Sequence, residues 1–96
     1  MKRADVLRQL ATSKAELSRR FGVTALALFG SVVRDCARPD SDVDILVSFD
    51  GPATSSRYFG VQFFLEDLLR RRVDLVTDKA LRPELRPYVE REAVHV

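Results

Sequence analysis

Hydrophobic residues along the chain form two patterns, a helical period and short apolar runs, and these patterns predict alternating helices and strands. Over the first twenty residues, apolar side chains return every three or four positions, the period of a helix with one buried face. Short apolar runs further along have the length of buried strands. Predicted helices cover residues 2–20, 32–37, 57–72 and 84–92, and predicted strands cover 24–29, 43–49, 73–77 and 93–96.

The inner faces of the two long helices follow from the same periods. The buried face of the first helix is predicted to consist of Val6, Leu7, Leu10, Ala11, Lys14 and Leu17, with Lys14 at its edge. The inner face of the helix over 57–72 is predicted to consist of Val61, Phe64, Leu65 and Leu68. This helix carries further apolar residues, which are either core residues, ordinary surface residues or contacts with a partner: Tyr58, Phe59, Phe63 and Leu69.

The connections between the elements predict the sheet. Gly22 and Gly30 end the first helix and the first strand, and Ser31 is a suitable N-cap for the short helix over 32–37. The first two strands would pair antiparallel, whereas the long helix between the second and third favours a right-handed parallel crossover. We therefore expect an α/β (α+β) fold, in which helices pack on a small mixed β-sheet of three to four strands, as a single domain over residues 1–96.

Composition narrows the class of protein. Hydrophobic residues make up 46% of the 96 residues, as in a soluble globular domain. No apolar run reaches the length of a membrane span, and no signal-peptide core follows Met1. Cys36 is the one cysteine, so we expect a reducing, cytoplasmic location. The net charge of +2 makes only a weak case for nucleic acid.

Three aspartates are candidates for a metal site. Asp42 and Asp44 are two residues apart at the start of a strand, so both side chains would point to the same face of the sheet. Asp74 lies in the next strand along the chain and would reach the same patch if the two strands pair in register. Carboxylate oxygens suit Mg²⁺, and three carboxylates would hold two ions about 4 Å apart, the arrangement of two-metal phosphoryl transfer.

A second group of residues would hold phosphate. Gly30 allows the backbone to approach a ligand closely, and Ser31 offers a hydroxyl group and an N–H at the start of a helix. Arg34 follows one helical turn later and would reach a phosphate oxygen. Taken singly, a Gly-Ser turn, an Asp-x-Asp pair or a surface arginine is common and usually structural. The interpretation depends on their combination in one order of elements.

These residues give the chain its resemblance to a known family. It resembles the minimal nucleotidyltransferases of the DNA polymerase beta-like superfamily, whose signature is Gly-Ser, ten intervening residues and Asp-x-Asp on a strand. Gly30-Ser31 and Asp42-Val43-Asp44 have this spacing. The family's arginine after Gly-Ser, its serine before the first aspartate and its third carboxylate match Arg34, Ser41 and Asp74 respectively. The family often has glycine after that arginine, where this sequence has Asp35.

The resemblance implies a polymerase beta-like fold and a Mg²⁺-dependent activity. Asp42, Asp44 and Asp74 would be the catalytic residues that bind two Mg²⁺ ions, while Gly30, Ser31, Arg34 and Ser41 would bind the nucleotide. Small members of the family act as antitoxins beside a HEPN ribonuclease toxin, and some transfer AMP from ATP to a tyrosine of that toxin. The resemblance therefore implies a protein adenylyltransferase whose partner is a HEPN toxin.

Two alternatives stay open at this point. The chain would also act as an antitoxin if it neutralised its toxin by complex formation alone, with an idle nucleotide site. Nucleic-acid binding through the arginines is a weaker alternative, and it predicts an affinity that falls steeply with added salt.

Overall fold

The structure is a computed structural model that describes residues 2–34, 38 and 41–96. Its helices are α1 (Arg3–Phe21), α2 (Ser55–Leu69) and α3 (Arg86–Glu92), and its strands are β1 (Val23–Phe29), β2 (Val43–Phe49), β3 (Val73–Thr77) and β4 (Val94–His95). Short 3₁₀ turns cover Gly30–Val32 and Asp78–Ala80. None of the helices in these ranges combines the length and apolar character needed to cross a membrane.

The four strands form one mixed sheet in the order β3-β2-β1-β4, which confirms the predicted fold class. β1 is antiparallel to both β2 and β4, and β2 is parallel to β3, as the lengths of the connections indicated. Within the described part of the chain, β3 and β4 are therefore the two edges of the sheet.

The main core lies between one face of the sheet and the helices α1 and α2. Alternate residues of β2 point into it and are fully buried, whereas the residues between them point to the opposite face. The largest fully buried side chains of this core include Leu10, Leu17, Leu26, Leu28, Ile45, Leu65 and Leu69. Burial of each such side chain contributes roughly 1.5–3 kcal/mol.

Among the described residues, the C-terminal segment packs on part of the opposite face of the sheet. A smaller cluster of Ala27, Leu46 and Leu81 lies there, with Val89 and Ala93 packed against it. On this face, Asp44 precedes Leu46 in β2 and Asp74 precedes Val76 in β3. This side of the sheet therefore has an acidic surface beside the small apolar cluster.

Several local predictions need correction. Ser13 is buried in α1 and Ala11 is exposed, because the inner face rotates slightly relative to the predicted one. Of the alternatives left open for Leu69, the structure shows that it is a core residue. α2 ends at Leu69, before the predicted end at residue 72, because Arg70 adopts the left-handed conformation with φ of 56°.

The remaining differences concern short helices. The turn after β1 begins at Gly30 and is a 3₁₀ helix, so Ser31 lies inside the turn and does not cap it. Residues 35–37 of the predicted helix over 32–37, including Asp35 and Cys36, lie outside the described residues. α3 begins at Arg86, later than the predicted residue 84, with Pro87 in its first turn, where a missing N–H costs no hydrogen bond.

Candidate nucleotidyl-transfer site

Asp44 and Asp74 are directly paired across neighbouring strands. In the parallel register of β2 and β3, Asp44 is the partner of Asp74, as the sequence predicted. Burial, the charge of Asp74 and a hydrogen bond between the two side chains raise the pKa of Asp44 from 3.8 to about 6. Repulsion between two ionised carboxyl groups at this distance lowers the stability of the folded protein, and a cation bound between them would remove that repulsion.

Asp42 lies just before β2 and adds to this negative charge. Its carboxylate contributes to the raised pKa of Asp44 but forms an ion pair with Arg72, with 3.3 Å between Oδ1 and Nε. The side chains of Asp42 and Arg72 are 48% and 79% exposed, so their ion pair is weak. Another cation could therefore replace Arg72 at the Asp42 carboxylate. Within residues 2–34, 38 and 41–96, no group of three or more His, Cys, Asp or Glu side chains is arranged closely enough to hold a metal ion.

The Gly-Ser turn borders the carboxyl pair. Phe29 is the cross-strand partner of Asp44, so the chain passes Asp44 immediately before it turns at Gly30. Gly30 has φ of +79°, and a Cβ built on it would lie 2.0 Å from Asp44 Oδ2. The turn therefore requires glycine both for its backbone conformation and for its contact with the carboxylate.

Arg34 faces the acidic cluster from the end of this turn. Its backbone N–H donates to Gly30 O at 3.3 Å, and its positive charge lowers the pKa of Asp44 against the other effects. Its Nη1 lies 2.9 Å from Oε1 of Glu92, the last residue of α3. The Arg34 side chain is 60% exposed, so an anionic ligand can approach it.

Ser41 has a local structural contact. Its N–H donates to Arg38 O at 3.0 Å, and its hydroxyl oxygen accepts from the N–H of Arg38 at the same distance. The side chain of Arg71 donates to both Arg38 O and Ser41 O. Arg71 thus anchors the backbone of Arg38 and of Ser41, the residue before Asp42.

Residues of α2 fix the other side of the site, and the sequence reasoning missed them. Tyr58 Oη donates to Leu75 O at 2.6 Å, and Gln62 Nε2 donates to Val73 O at 3.3 Å. Glu66 Oε2 accepts from the N–H of Val73 at 3.0 Å. These three side chains are spaced by four residues, a helical stripe that the sequence contains. They bind the backbone on both sides of Asp74 and satisfy groups of an edge strand.

A cleft opens at the opposite end of β2 and β3. Its lining includes Ser48, Phe49, Thr77 and Lys79, and it contains none of the predicted site residues. Asp74 lies three residues before Thr77, roughly 10 Å away at the rise of a strand. The carboxyl pair therefore lies outside this cleft, with Asp44 half-buried and Asp74 exposed.

The donor set fits a hard divalent cation. The two paired carboxyl groups and a third, exchangeable one offer only oxygen ligands, which Mg²⁺ prefers. The raised pKa of Asp44 marks the electrostatic cost that such a cation would offset.

Comparison with known proteins identifies the class. A family model described as a nucleotidyltransferase domain matches residues 10–96. Because this match spans most of the chain, the chain belongs to the nucleotidyltransferase domain family and is a nucleotidyltransferase.

Two individual proteins are similar to this chain over nearly its whole length. The chain is 44% identical over 87 residues to the protein adenylyltransferase MntA of Thermococcus cleftensis, which covers 91% of this chain and 88% of that protein. A solved structure of a minimal nucleotidyltransferase, whose own assignment is provisional, matches with a TM-score of 0.81 and 39% identity over 98% of this chain and 95% of the other.

A third comparison shows the fold alone. The structure of a tri-AMPylated Shewanella oneidensis HEPN toxin in complex with its MNT antitoxin matches with a TM-score of 0.66 and 20% identity, over 94% of this chain and 70% of the other.

Proposed function

We propose that this chain is an antitoxin that transfers AMP from ATP to a hydroxyl group, a tyrosine of a HEPN-type toxin, in the presence of Mg²⁺. The observation that carries the proposal is the pairing of Asp44 with Asp74 beside Gly30, at the motif spacing of a nucleotidyltransferase. The adenylyltransferase name of the archaeal relative and the AMPylated toxin in a structure of the same fold support the nucleotide and the acceptor.

The proposed roles follow from position. Asp42, Asp44 and Asp74 would hold two Mg²⁺ ions, with Asp42 released from Arg72. When bound, these ions supply Lewis-acid stabilisation of the charge that develops on the phosphates. Gly30, Ser31 and Arg34 would bind the β- and γ-phosphates, with Ser41 at the start of the aspartate loop.

In the transfer itself, the acceptor hydroxyl oxygen bonds to the α-phosphorus and the bond to the bridging oxygen of pyrophosphate breaks. Asp74 would help to take the proton of the hydroxyl group, because it is the exposed member of the carboxyl pair. The chain otherwise contributes by orienting the two reactants, which accounts for much of catalysis in phosphoryl transfer.

The test is transfer of label to the co-encoded toxin. The protein is incubated with Mg²⁺, the toxin and ATP labelled at the α-phosphate, and a parallel reaction uses ATP labelled at the γ-phosphate. We expect label on the toxin only from the α-position, and its loss in Asp42→Asn and Asp44→Asn. Asp67→Asn, an exposed aspartate of α2, is the matched control and should transfer normally.

The outcomes separate the candidate functions. Neutralisation of the toxin without label, unaffected by Asp42→Asn and Asp44→Asn, would overturn the enzymatic proposal in favour of an antitoxin that acts by complex formation. Label on the toxin in the reaction with γ-labelled ATP would indicate phosphoryl transfer and would overturn the proposal that AMP is transferred.

A further inference from the structure

Glu92 is brought to the nucleotide site by the last strand of the chain. β4 is antiparallel to β1, with Leu28 opposite Val94. Glu92 is the last residue of α3, two residues before Val94, and its Oε1 lies 2.9 Å from Arg34 Nη1. The packing of Val89 and Ala93 on the sheet fixes the end of α3 at this point. A carboxylate from outside the recognised motif therefore lies beside the turn proposed to bind phosphate.

Glu92 forms an ion pair with Arg34, the arginine at the end of that turn. The contact between Arg34 Nη1 and Glu92 Oε1 is 2.9 Å long, but Oε1 is buried and the contact is not aligned as a hydrogen bond. The side chain of Glu92 is 24% exposed, against 60% for Arg34. A phosphate oxygen can align with a guanidinium group in the bidentate geometry that this contact lacks. The arginine is therefore held near the site by a partner that a phosphate would replace.

We propose that Glu92 is an affinity-determining residue that competes with the triphosphate for Arg34. The inference rests on the proposed function, since it assigns Arg34 to a nucleotide phosphate. In the absence of nucleotide, Glu92 neutralises and orients Arg34. Nucleotide binding breaks this ion pair, and the carboxylate that remains repels the triphosphate. Both effects weaken nucleotide binding, so removal of the Glu92 charge strengthens it.

The experiment measures the dissociation constant of α,β-methylene-ATP with Mg²⁺ by calorimetry at low salt. Wild type, Glu92→Gln, Arg34→Ala and the double variant form a cycle that isolates the coupling of the two residues. Glu90→Gln is the matched control, because it removes the same charge from the same helix at a residue paired with Arg86. Thermal unfolding of each variant monitors folding.

We expect Glu92→Gln to bind the analogue about two- to fivefold more tightly than wild type, the factor that corresponds to a partly exposed ion pair. The gain should shrink in the Arg34→Ala background, and Glu90→Gln should bind as wild type does. A damaged fold cannot produce such a gain. Equal or weaker binding by Glu92→Gln, or an undiminished gain without Arg34, would overturn the inference while leaving the proposed function intact. Absence of analogue binding by the wild type would overturn both.

Discussion

Gly30 lies directly against the carboxyl group of Asp44, so the Gly-Ser turn and the acidic pair are in direct contact. A Cβ at position 30 would lie 2.0 Å from Asp44 Oδ2, well inside the distance that any two such atoms adopt. The backbone there also has φ of +79°, a conformation that side chains disfavour. The two halves of the motif are thus in contact although thirteen residues lie between Gly30 and Asp44 in the sequence.

Gly30→Ala tests this contact. We expect the variant to lose most of its AMP transfer, because Asp44 must move away from its position beside Asp74. The left-handed backbone adds a cost of about 1–3 kcal/mol in unfolding free energy. The measurements are the initial rate of label transfer and chemical denaturation. Gly51→Ala is the control, since its Cβ would meet only Arg57 Nη1 at 3.5 Å. Full activity of Gly30→Ala would contradict the proposed contact.

The sequence predicted the sheet well because the information was local. Each strand is a short apolar run ended by glycine or by a polar loop, and the lengths of the connections distinguish antiparallel from parallel pairs. The pairing of Asp44 with Asp74 required only that two strands align at their first residues. The end of α2 was harder, because Arg70 is not a usual left-handed residue and nothing in its neighbours distinguishes it from a helical arginine.

The supporting contacts of the site depended on tertiary packing. Glu92 reaches Arg34 because β4 adds to the edge of β1. The sequence predicted a strand over 93–96, but not the pairing with β1 that brings Glu92 to Arg34. Arg71 looked like part of a cationic helix end, but the helix stops before it and its side chain binds loop carbonyls. Tyr58 had a regular spacing with Gln62 and Glu66, which would have suggested a shared face but not its hydrogen-bond partners.

The raised pKa of Asp44 predicts how stability depends on pH in the absence of metal. Because its pKa is about 6 in the folded protein and 3.8 ordinarily, the folded state binds the proton more tightly. The ionised carboxylate therefore costs stability as pH rises from about 4 to about 6, and the cost is complete above pH 6. In EDTA, Asp44→Asn should be more stable than wild type at pH 7, by on the order of 1 kcal/mol after solvent screening.

The comparison is made by thermal unfolding of both proteins from pH 4 to pH 7.5. The difference between them should vanish toward pH 4, where Asp44 is protonated and resembles asparagine. A constant difference across this range would show that Asp44 does not titrate as its surroundings require.

Added Mg²⁺ should reverse the order of stability of wild type and Asp44→Asn that is expected in EDTA at pH 7. A cation that binds only the folded protein stabilises it by about 2.7 kcal/mol at a concentration one hundred times its dissociation constant. We expect the melting temperature of wild type to rise with added Mg²⁺ in the presence of ATP, and that of Asp44→Asn and Asp74→Asn to rise much less. Asp67→Asn should respond as wild type does. An identical response of all four proteins would exclude the carboxyl pair as the metal site.

Tyr58→Phe tests the support of Asp74 by α2. Removal of the hydroxyl group leaves Leu75 O without its 2.6 Å hydrogen bond at the sheet edge. We expect the free energy of unfolding to fall by about 1 kcal/mol, as measured in urea. Tyr88→Phe, at a tyrosine that is 66% exposed, should leave stability unchanged. Equal stabilities of the two variants would mean that the bond to Leu75 contributes nothing.

Arg71→Ala tests whether the loop before Asp42 must be fixed for transfer. The Arg71 side chain donates to Arg38 O and Ser41 O. Its removal takes one hydrogen bond from each carbonyl, although Arg38 O still accepts from the N–H of Ser41, and it loosens the backbone before Asp42. We expect a loss of about 1–3 kcal/mol in stability, as for hydrogen bonds from a charged group, and at least a tenfold lower transfer rate, because a misplaced ligand costs more in rate than in folding. Arg72→Ala is the informative control. It removes only an exposed ion pair with Asp42, so it should leave stability nearly unchanged and should not lower Mg²⁺ affinity. If Arg71→Ala transferred AMP at the wild-type rate, the loop would need no such anchor, and the position of Asp42 would have to be set by β2 alone.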